Sequence, residues 1–231
     1  MMVFLDIGST LLGGPSQGPV QRLRAMLSLG PEHTAAIAQT IFTTPYANAD
    51  ELSERLAAGL RITASTVLEA VKPLWENQLE ETYPLPGAQS IVAALEDAKI
   101  PCAYLSNIWP PFFVGFTRYF PNAAHHSPCY LSFRIGRTKP DPAFFQHALT
   151  DLGVAPGECI MIGDTYQDDI APAMALGLKS VWVLHRPDKE RQDIVRVLNG
   201  TVPTPTLTLA SIGDLRVDQL RSTGQPRSRR H

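Results

Sequence analysis

Four short and almost continuous runs of apolar residues constrain the fold of this chain more than any other feature of its sequence. They are MVFL at 2–5, CAYL at 102–105, CIMI at 159–162 and SVWVL at 180–184. Strands covered by helices on both faces have this pattern, whereas half-exposed strands alternate apolar and polar residues. The runs therefore predict buried strands of a parallel sheet.

Segments with helical spacing lie between these runs, at 86–98, 140–152 and 169–176. A glycine follows each of the last two segments as a helix stop signal. Alternating strands and helices form right-handed crossover units. The expected fold class is therefore α/β, with a Rossmann-like open parallel sheet and helices on both faces.

The stretch from 13 to 84 has a different pattern, without a convincing strand. It predicts helices around 20–29, 33–42, 50–59 and 64–79. We therefore expect a small α-helical cap at 13–84, inserted after the first strand. The α/β core would comprise 1–12 and 85–220, with a short apolar segment at 206–209 and a final helix at 212–220. Residues 221–231 would be a disordered basic tail.

Charge and residue content exclude several classes of protein. The formal net charge of −2 gives no electrostatic case for binding nucleic acid or an anionic membrane. No apolar run approaches the roughly 20 residues of a membrane span, and the first run is too short for a signal peptide. Three cysteines without CxxC spacing indicate neither a disulfide framework nor a zinc site. A cytoplasmic protein is expected, and its oligomeric state stays open.

Polar residues follow three of the four apolar runs. The carboxyl ends of parallel strands meet at one edge of a sheet, where ligands bind. Two carboxylates there could share a Mg²⁺ ion, while a hydroxyl and a lysine could surround a phosphoryl group. The residues in question are Asp6, Ser106, Asn107 and Asp164, with Lys139 between the second and third runs. His125 and His126 lie in a poorly patterned stretch, where we expect a solvated loop.

Four segments in order resemble the motifs of the haloacid-dehalogenase (HAD) superfamily. They are LDIGSTL at 5–11, YLSN at 104–107, KPDP at 139–142 and IGDTYQDD at 162–169. Each segment alone is a weak signal, but their order and positions at strand ends are specific. The resemblance covers roughly 1–12 and 85–200, and the helical insertion is placed like the cap of that family.

The resemblance implies a role for each matching residue. Asp6 would be the nucleophile, forming an aspartyl-phosphate and also contacting the metal. Lys139 would hold the nucleophile and the phosphate oxygens. Ser106, Asn107 and Thr10 would contact the phosphate, and Thr10 would also support the first loop by hydrogen bonding.

The resemblance also implies a Mg²⁺ cofactor and a small phosphorylated metabolite as substrate. Asp169 is favoured over Asp168 as the last ligand, because the segment DIAPAMALG resembles the family helix that begins at its last acid. The other acid would cap that helix. The implied ligands are Asp6, the backbone carbonyl of Gly8, Asp164 and Asp169, with Asp168 as the alternative to the last.

The sequence departs from the usual DxDxT motif at Gly8. The second aspartate of that motif protonates the leaving oxygen, and general acid–base catalysis contributes about 10² to 10⁴ in rate. A Mg²⁺-dependent phosphatase that acts on good leaving groups, or uses a substitute proton donor, is the favoured hypothesis. A 2-haloacid dehalogenase and a catalytically weak binding protein are the alternatives.

Overall fold

The computed structural model describes residues 1–223, in which six parallel strands form one sheet and two further strands form a small antiparallel pair. The eight strands are β1 Met2–Leu5, β2 Leu12–Gly13, β3 Tyr83–Pro84, β4 Cys102–Ser106, β5 Cys129–Leu131, β6 Cys159–Gly163, β7 Lys179–Val183 and β8 Leu207–Leu209. The order in the large sheet is β5-β4-β1-β6-β7-β8. The first strand thus lies near the centre, between β4 and β6.

Twelve α-helices surround these strands within residues 1–223. They are α1 Pro19–Met26, α2 Thr34–Phe42, α3 Ala49–Leu60, α4 Ala64–Glu81, α5 Ala88–Asp97, α6 Pro110–Tyr119, α7 Pro121–His126, α8 Ser132–Ile135, α9 Pro142–Leu152, α10 Ala171–Ala175, α11 Arg191–Leu198 and α12 Val217–Thr223. A five-residue π-helical turn, Tyr166–Ile170, leads directly into α10.

Successive residues of β1 pack into different hydrophobic cores on the two faces of the sheet. Val3 and Leu5 belong to a core that also contains Leu95 of α5, whereas Phe4 belongs to a core that contains Phe144 of α9. All of these side chains are fully buried. The predicted fold class, an open parallel sheet with helices on both faces, is therefore confirmed.

Three parts of the sequence prediction are wrong. The stretch 13–84, expected to have no strand, contains the second residue of β2 and all of β3. His125 and His126 end helix α7 instead of lying in a loop, although both are exposed as expected. The single helix expected at 212–220 is divided into a 3₁₀ turn, Ile212–Asp214, and α12. The turn lies against a neighbouring loop, where a Cβ atom on Gly87 would be 2.3 Å from the Cα atom of Gly213.

The helical insertion consists of α1 to α4 and has its own hydrophobic core. Buried side chains of all four helices form it, together with Trp109 from the segment after β4. The chain enters and leaves through β2 and β3, which pair antiparallel with Leu12 opposite Pro84. The division into a core and a cap at 13–84 stays a prediction.

Residues 221–223 belong to α12, whereas the rest of the predicted tail, 224–231, lies outside the described residues. All three cysteines are free thiols. Among residues 1–223, no helix is long and apolar enough to cross a membrane.

Candidate active site

A cavity of about 200 Å³ lies at the carboxyl ends of β1, β4 and β6. It brings together nearly all of the residues that the sequence predicted, although they are separated by up to 163 positions in the chain. The residues that line it are Asp6, Gly8, Ser9, Asn107, Lys139, Asp164, Thr165, Asp168, Asp169 and Arg186.

Three buried carboxylates form the centre of this cavity. Asp6, Asp164 and Asp169 each place one carboxylate oxygen within 4.8 Å of the other two. Their exposed fractions are only 5%, 2% and 1%. Asp168 lines the same cavity but is half-buried and lies outside the cluster. Of the two adjacent acids, the structure therefore places Asp169 with the other carboxylates.

Lys139 connects two of these carboxylates. Its ammonium donates to Asp6 Oδ1 at 2.8 Å, to the backbone oxygen of Leu105 at 2.9 Å and to Asp169 Oδ1. Burial lowers the pKa of this lysine, but the negative charges of Asp169 and Asp6 raise it by a larger amount. The net shift of its pKa is therefore upward. The lysine is thus held in its charged form.

Asn107 fixes the backbone that carries Lys139. Its Nδ2 atom donates to the backbone oxygen of Lys139 at 2.8 Å, and its Oδ1 accepts from the backbone N–H at 2.7 Å. The sequence predicted a phosphate contact for Asn107. The structure shows that both ends of its amide hold the lysine loop in place.

Two hydroxyl groups differ in how they are bonded. Thr10 Oγ1 donates to Asp6 Oδ2 at 3.3 Å, which orients the carboxylate. Ser106 Oγ is buried at the end of β4 and has no hydrogen-bond partner within the described part of the chain. A buried hydroxyl is normally bonded, so this one is available to a ligand.

The space beside Gly8 is open. A Cβ atom at this position would meet no atom within 4 Å. The next residue, Ser9, has φ 58° and its backbone N–H donates to the oxygen of Leu12 at 2.7 Å, which turns the chain back after β1. Nothing in residues 1–223 therefore fills the position where the usual motif carries its second acid.

Arg186, which was not predicted, is bonded to Asp164. Its Nε and Nη2 atoms donate to Asp164 Oδ2 at 3.0 and 2.6 Å. Burial raises the pKa of Asp164 to about 6, against the opposing charge of Arg186 and with a further contribution from Asp6. A signal was present, because Arg186 follows the fourth apolar run at the same edge of the sheet.

The π-helical turn is held by contacts that the sequence also did not reveal. The backbone N–H of Thr165 donates to Asp169 Oδ2 at 3.1 Å, and that of Tyr166 donates to the buried Glu190 at 2.7 Å. The indole of Trp182 donates to the backbone oxygen of Asp164 at 3.0 Å. Burial raises the pKa of Asp169. These bonds fix both acids relative to β6.

Comparison with known families and proteins gives a consistent result. Residues 136–215 match the model of a family described as HAD-hydrolase-like. The phosphoserine phosphatase of Thermus thermophilus is 36% identical over 124 residues, which are 50% of this chain and 48% of that protein. The chain thus spans about half the length of this curated relative.

Solved structures share the fold at low sequence identity. CbbY from Rhodobacter sphaeroides, in complex with phosphate, has a TM-score of 0.63 and 16% identity, covering 95% of this chain and 98% of that one. A HAD family enzyme of Bacteroides thetaiotaomicron in a magnesium complex has a TM-score of 0.58 and 16% identity, covering 83% and 96%. These two structures cover 95% and 83% of this chain, so the similarity in fold extends well beyond residues 136–215.

Proposed function

We propose that the chain is a HAD-like, Mg²⁺-dependent phosphatase that hydrolyses a small phosphorylated metabolite through an aspartyl-phosphate at Asp6. The observation that carries the proposal is the cluster of three buried carboxylates, Asp6, Asp164 and Asp169, with Lys139 bonded to two of them. Buried carboxylates are unfavourable without compensating positive charge, and Lys139 with Arg186 supplies only two positive charges to three carboxylates.

The donor set fits Mg²⁺. This ion prefers oxygen ligands and keeps several waters, so that two or three carboxylates suffice to hold it. Asp6, Asp164 and Asp169 would supply carboxylate oxygens, and the backbone carbonyl of Gly8 would add one more. When bound, the ion would neutralise negative charge on the phosphoryl oxygens.

The first chemical step follows from the contacts of Asp6. One carboxylate oxygen attacks phosphorus, the bond from phosphorus to the ester oxygen breaks, and that oxygen takes a proton from solvent water and leaves as an alcohol. Lys139 and Thr10 hold the carboxylate in a fixed orientation. The free hydroxyl of Ser106 would donate to a phosphoryl oxygen.

The second step returns the enzyme to its starting state. Water attacks the phosphorus of the aspartyl-phosphate, the bond to Asp6 breaks, and inorganic phosphate and a free carboxylate result. The attacking water loses a proton to the solvent, which balances the proton that the leaving oxygen took in the first step. The open space beside Gly8 leaves room for solvent water at this place. Without a fixed acid, the rate would depend strongly on the basicity of the leaving oxygen.

The buried carboxylates favour this reaction over the dehalogenase alternative. A halide leaving group needs neither a proton nor a cation, so a dehalogenase does not need a set of three carboxylates that could hold a metal ion. Because Gly8 supplies no general acid, the same experiment must also test the alternative of a catalytically weak binding protein.

Phosphate release from phenyl phosphate tests the proposal. We expect turnover in Mg²⁺, none in EDTA, and none with Asp6→Asn in Mg²⁺. Asp97→Asn, an exposed acid at the end of α5, is the matched control and should keep full activity. Folded protein without turnover on a panel of phosphate esters would refute the proposal in favour of a binding function. Metal-independent halide release from a 2-haloacid would favour the dehalogenase.

A further inference from the structure

A second cavity of about 130 Å³ adjoins the active site. Gly8, Ser9 and Arg186 line both cavities, so the two spaces meet at this wall. The charged residues that line the second cavity are Arg22 of α1 with Arg186 and Lys189 of the segment after β7. No carboxylate among residues 1–223 lines it. The second cavity is therefore positive, whereas the active site is acidic.

The three cations differ in how far they are neutralised. Arg22 forms two hydrogen bonds with the carboxylate of Glu81, at 2.6 and 2.8 Å, and its charge is compensated. Arg186 shares only Asp164 Oδ2, through Nε and Nη2, and about a third of its side chain is exposed.

Lys189 has no ion pair in the described chain. Its ammonium makes one long contact, 3.4 Å to the backbone oxygen of Ser16. Burial lowers the pKa of Lys189 and repulsion by the positive charge of Arg186 lowers it further, while Asp164 acts in the opposite direction. An anion between them would relieve this repulsion.

With the phosphoryl group bound at Asp6, the second cavity would lie on the leaving-group side of the substrate. In phosphoryl transfer the attacking and leaving oxygens lie on opposite sides of phosphorus. Asp6 lines the active-site cavity but not the second one, whereas Gly8 lines both. A phosphate ester attacked by Asp6 would thus direct its ester oxygen past Gly8 into the positive cavity.

We propose that Lys189 and Arg186 bind a second anionic group on the leaving-group side, so that the substrate is a small phosphate ester that also carries a carboxylate or a second phosphate. This inference rests on the proposed function, because it takes the phosphoryl group to be bound at Asp6. Lys189 is the specificity-determining residue, because it is the cation of this cavity that forms no ion pair among the described residues, whereas Arg22 and Arg186 each have a carboxylate partner. A charge-assisted contact to an anion stabilises the complex by an amount that corresponds to about tenfold in affinity.

Binding of a matched series of three-carbon phosphates tests the inference. The ligands are propyl phosphate, 3-phosphooxypropanoate, propane-1,3-diol bisphosphate and 3-aminopropyl phosphate. They are titrated by calorimetry into the Asp6→Asn protein in saturating Mg²⁺. We expect at least one anionic ligand to bind about tenfold tighter than propyl phosphate, and the ammonium ligand to bind more weakly. The tighter of the two anionic ligands identifies the carboxylate or the phosphate as the second group.

The same titrations with Lys189→Gln added should bring the anionic ligands to within about twofold of propyl phosphate. Arg191→Gln, an exposed cation at the start of α11 that lines neither cavity, is the control and should keep the full preference. Equal binding of propyl phosphate and both anionic ligands overturns the inference, as does a preference that survives Lys189→Gln.

Phenyl phosphate hydrolysis by the wild-type protein, measured in parallel, separates the two proposals. Turnover without an anion preference would leave the phosphatase proposal intact and refute the inference. An anion preference that depends on Lys189, found without turnover, would support the anion site and refute the catalytic proposal.

Discussion

The side chain of Asp169 lies directly against the backbone of Gly163, so that a Cβ atom at residue 163 would be 2.4 Å from the carboxyl carbon of Asp169. Asp169 follows the end of β6 by six residues, and this contact is what allows its carboxylate to reach Asp6 and Asp164. A glycine at 163 is therefore a requirement of the acidic cluster.

Gly163→Ala should displace Asp169 and weaken Mg²⁺ binding by about 10- to 100-fold, the usual effect of disturbing the support of a metal ligand. Titration calorimetry with Mg²⁺ measures the change. Gly157→Ala is the matched control, because a Cβ atom there meets no atom within 4 Å. An unchanged Mg²⁺ affinity in Gly163→Ala would show that Asp169 is not a ligand.

Gly8→Asp should restore a general acid. The new side chain enters open space, so the fold should tolerate it. We expect the rate on propyl phosphate, a poor leaving group, to increase by about 10² or more relative to the rate on phenyl phosphate. Steady-state kinetics with both esters give the ratio, and Gly8→Asn controls for bulk without acidity. If the two variants give the same ratio, solvent access rather than a missing acid limits the reaction.

Ser106→Ala and Ser132→Ala form a matched pair of buried hydroxyl deletions. Ser132 Oγ accepts from the N–H of Ile108 at 3.0 Å and donates to its oxygen at 3.1 Å, so its loss should lower the free energy of unfolding by about 1–3 kcal/mol. Ser106 Oγ has no partner in residues 1–223, so its loss should leave stability unchanged or higher.

The affinity for phosphate should change in the opposite way: the variant that keeps its stability should lose affinity, and the destabilised variant should keep it. Ser106→Ala should weaken the affinity for inorganic phosphate in Mg²⁺ by about tenfold, while Ser132→Ala leaves it close to wild type. Urea denaturation and calorimetry provide the two measurements. A large loss of stability in Ser106→Ala would contradict the interpretation that its hydroxyl serves a ligand.

Lys139→Met should destabilise the metal-free protein by about 3–5 kcal/mol, because it leaves Asp6 and Asp169 buried without their shared cation. Mg²⁺ should restore part of this loss, since it would replace the missing positive charge. Denaturation in EDTA and in Mg²⁺ gives both values. Lys72→Met, a change at a largely exposed lysine, should stay within about 0.5 kcal/mol of wild type in either buffer.

The raised pKa of Asp164, about 6, predicts how the stability of the metal-free protein changes with pH. Because the pKa in the folded state lies above its ordinary value of 3.8, the folded state binds the proton more tightly than the unfolded state does. This contribution to stability is present at low pH and is lost as the pH rises through about 6.

In EDTA, the Tm of the wild type relative to that of Asp164→Asn should therefore rise by a few degrees as the pH falls from about 7.5 to about 5. Thermal unfolding over this range measures the difference. Asp97→Asn, at an exposed position, should follow the wild type throughout. A difference in Tm that is constant with pH would contradict the raised pKa.

The central strands were predictable because they are buried on both faces, and such strands consist of continuous apolar residues. Strand β5 was not, because its three residues Cys129–Leu131 are too few to form a recognisable run. The sequence also did not reveal helices α6 to α8, which lie in the segment between the second and third motifs.

Within the site, Asp6 and Asp164 were predictable because each follows a buried strand directly. The ion pair between Arg186 and Asp164 was not, since it depends on the path of the segment after β7, which no local pattern determines. The buried carboxylate of Glu190 was hidden for the same reason: its partner is a backbone N–H 24 positions earlier in the chain.

The antiparallel pair Leu12–Gly13 and Tyr83–Pro84 brings the two ends of the helical insertion side by side. A segment whose ends are adjacent can be exchanged, shortened or lengthened as a cassette without moving the strands on either side of it. Asp6 precedes the first junction and Ser106, Lys139, Asp164 and Asp169 all follow the second. Grafting the insertion of a related enzyme between these two junctions is therefore a direct route to new substrate ranges on an unchanged set of reacting groups.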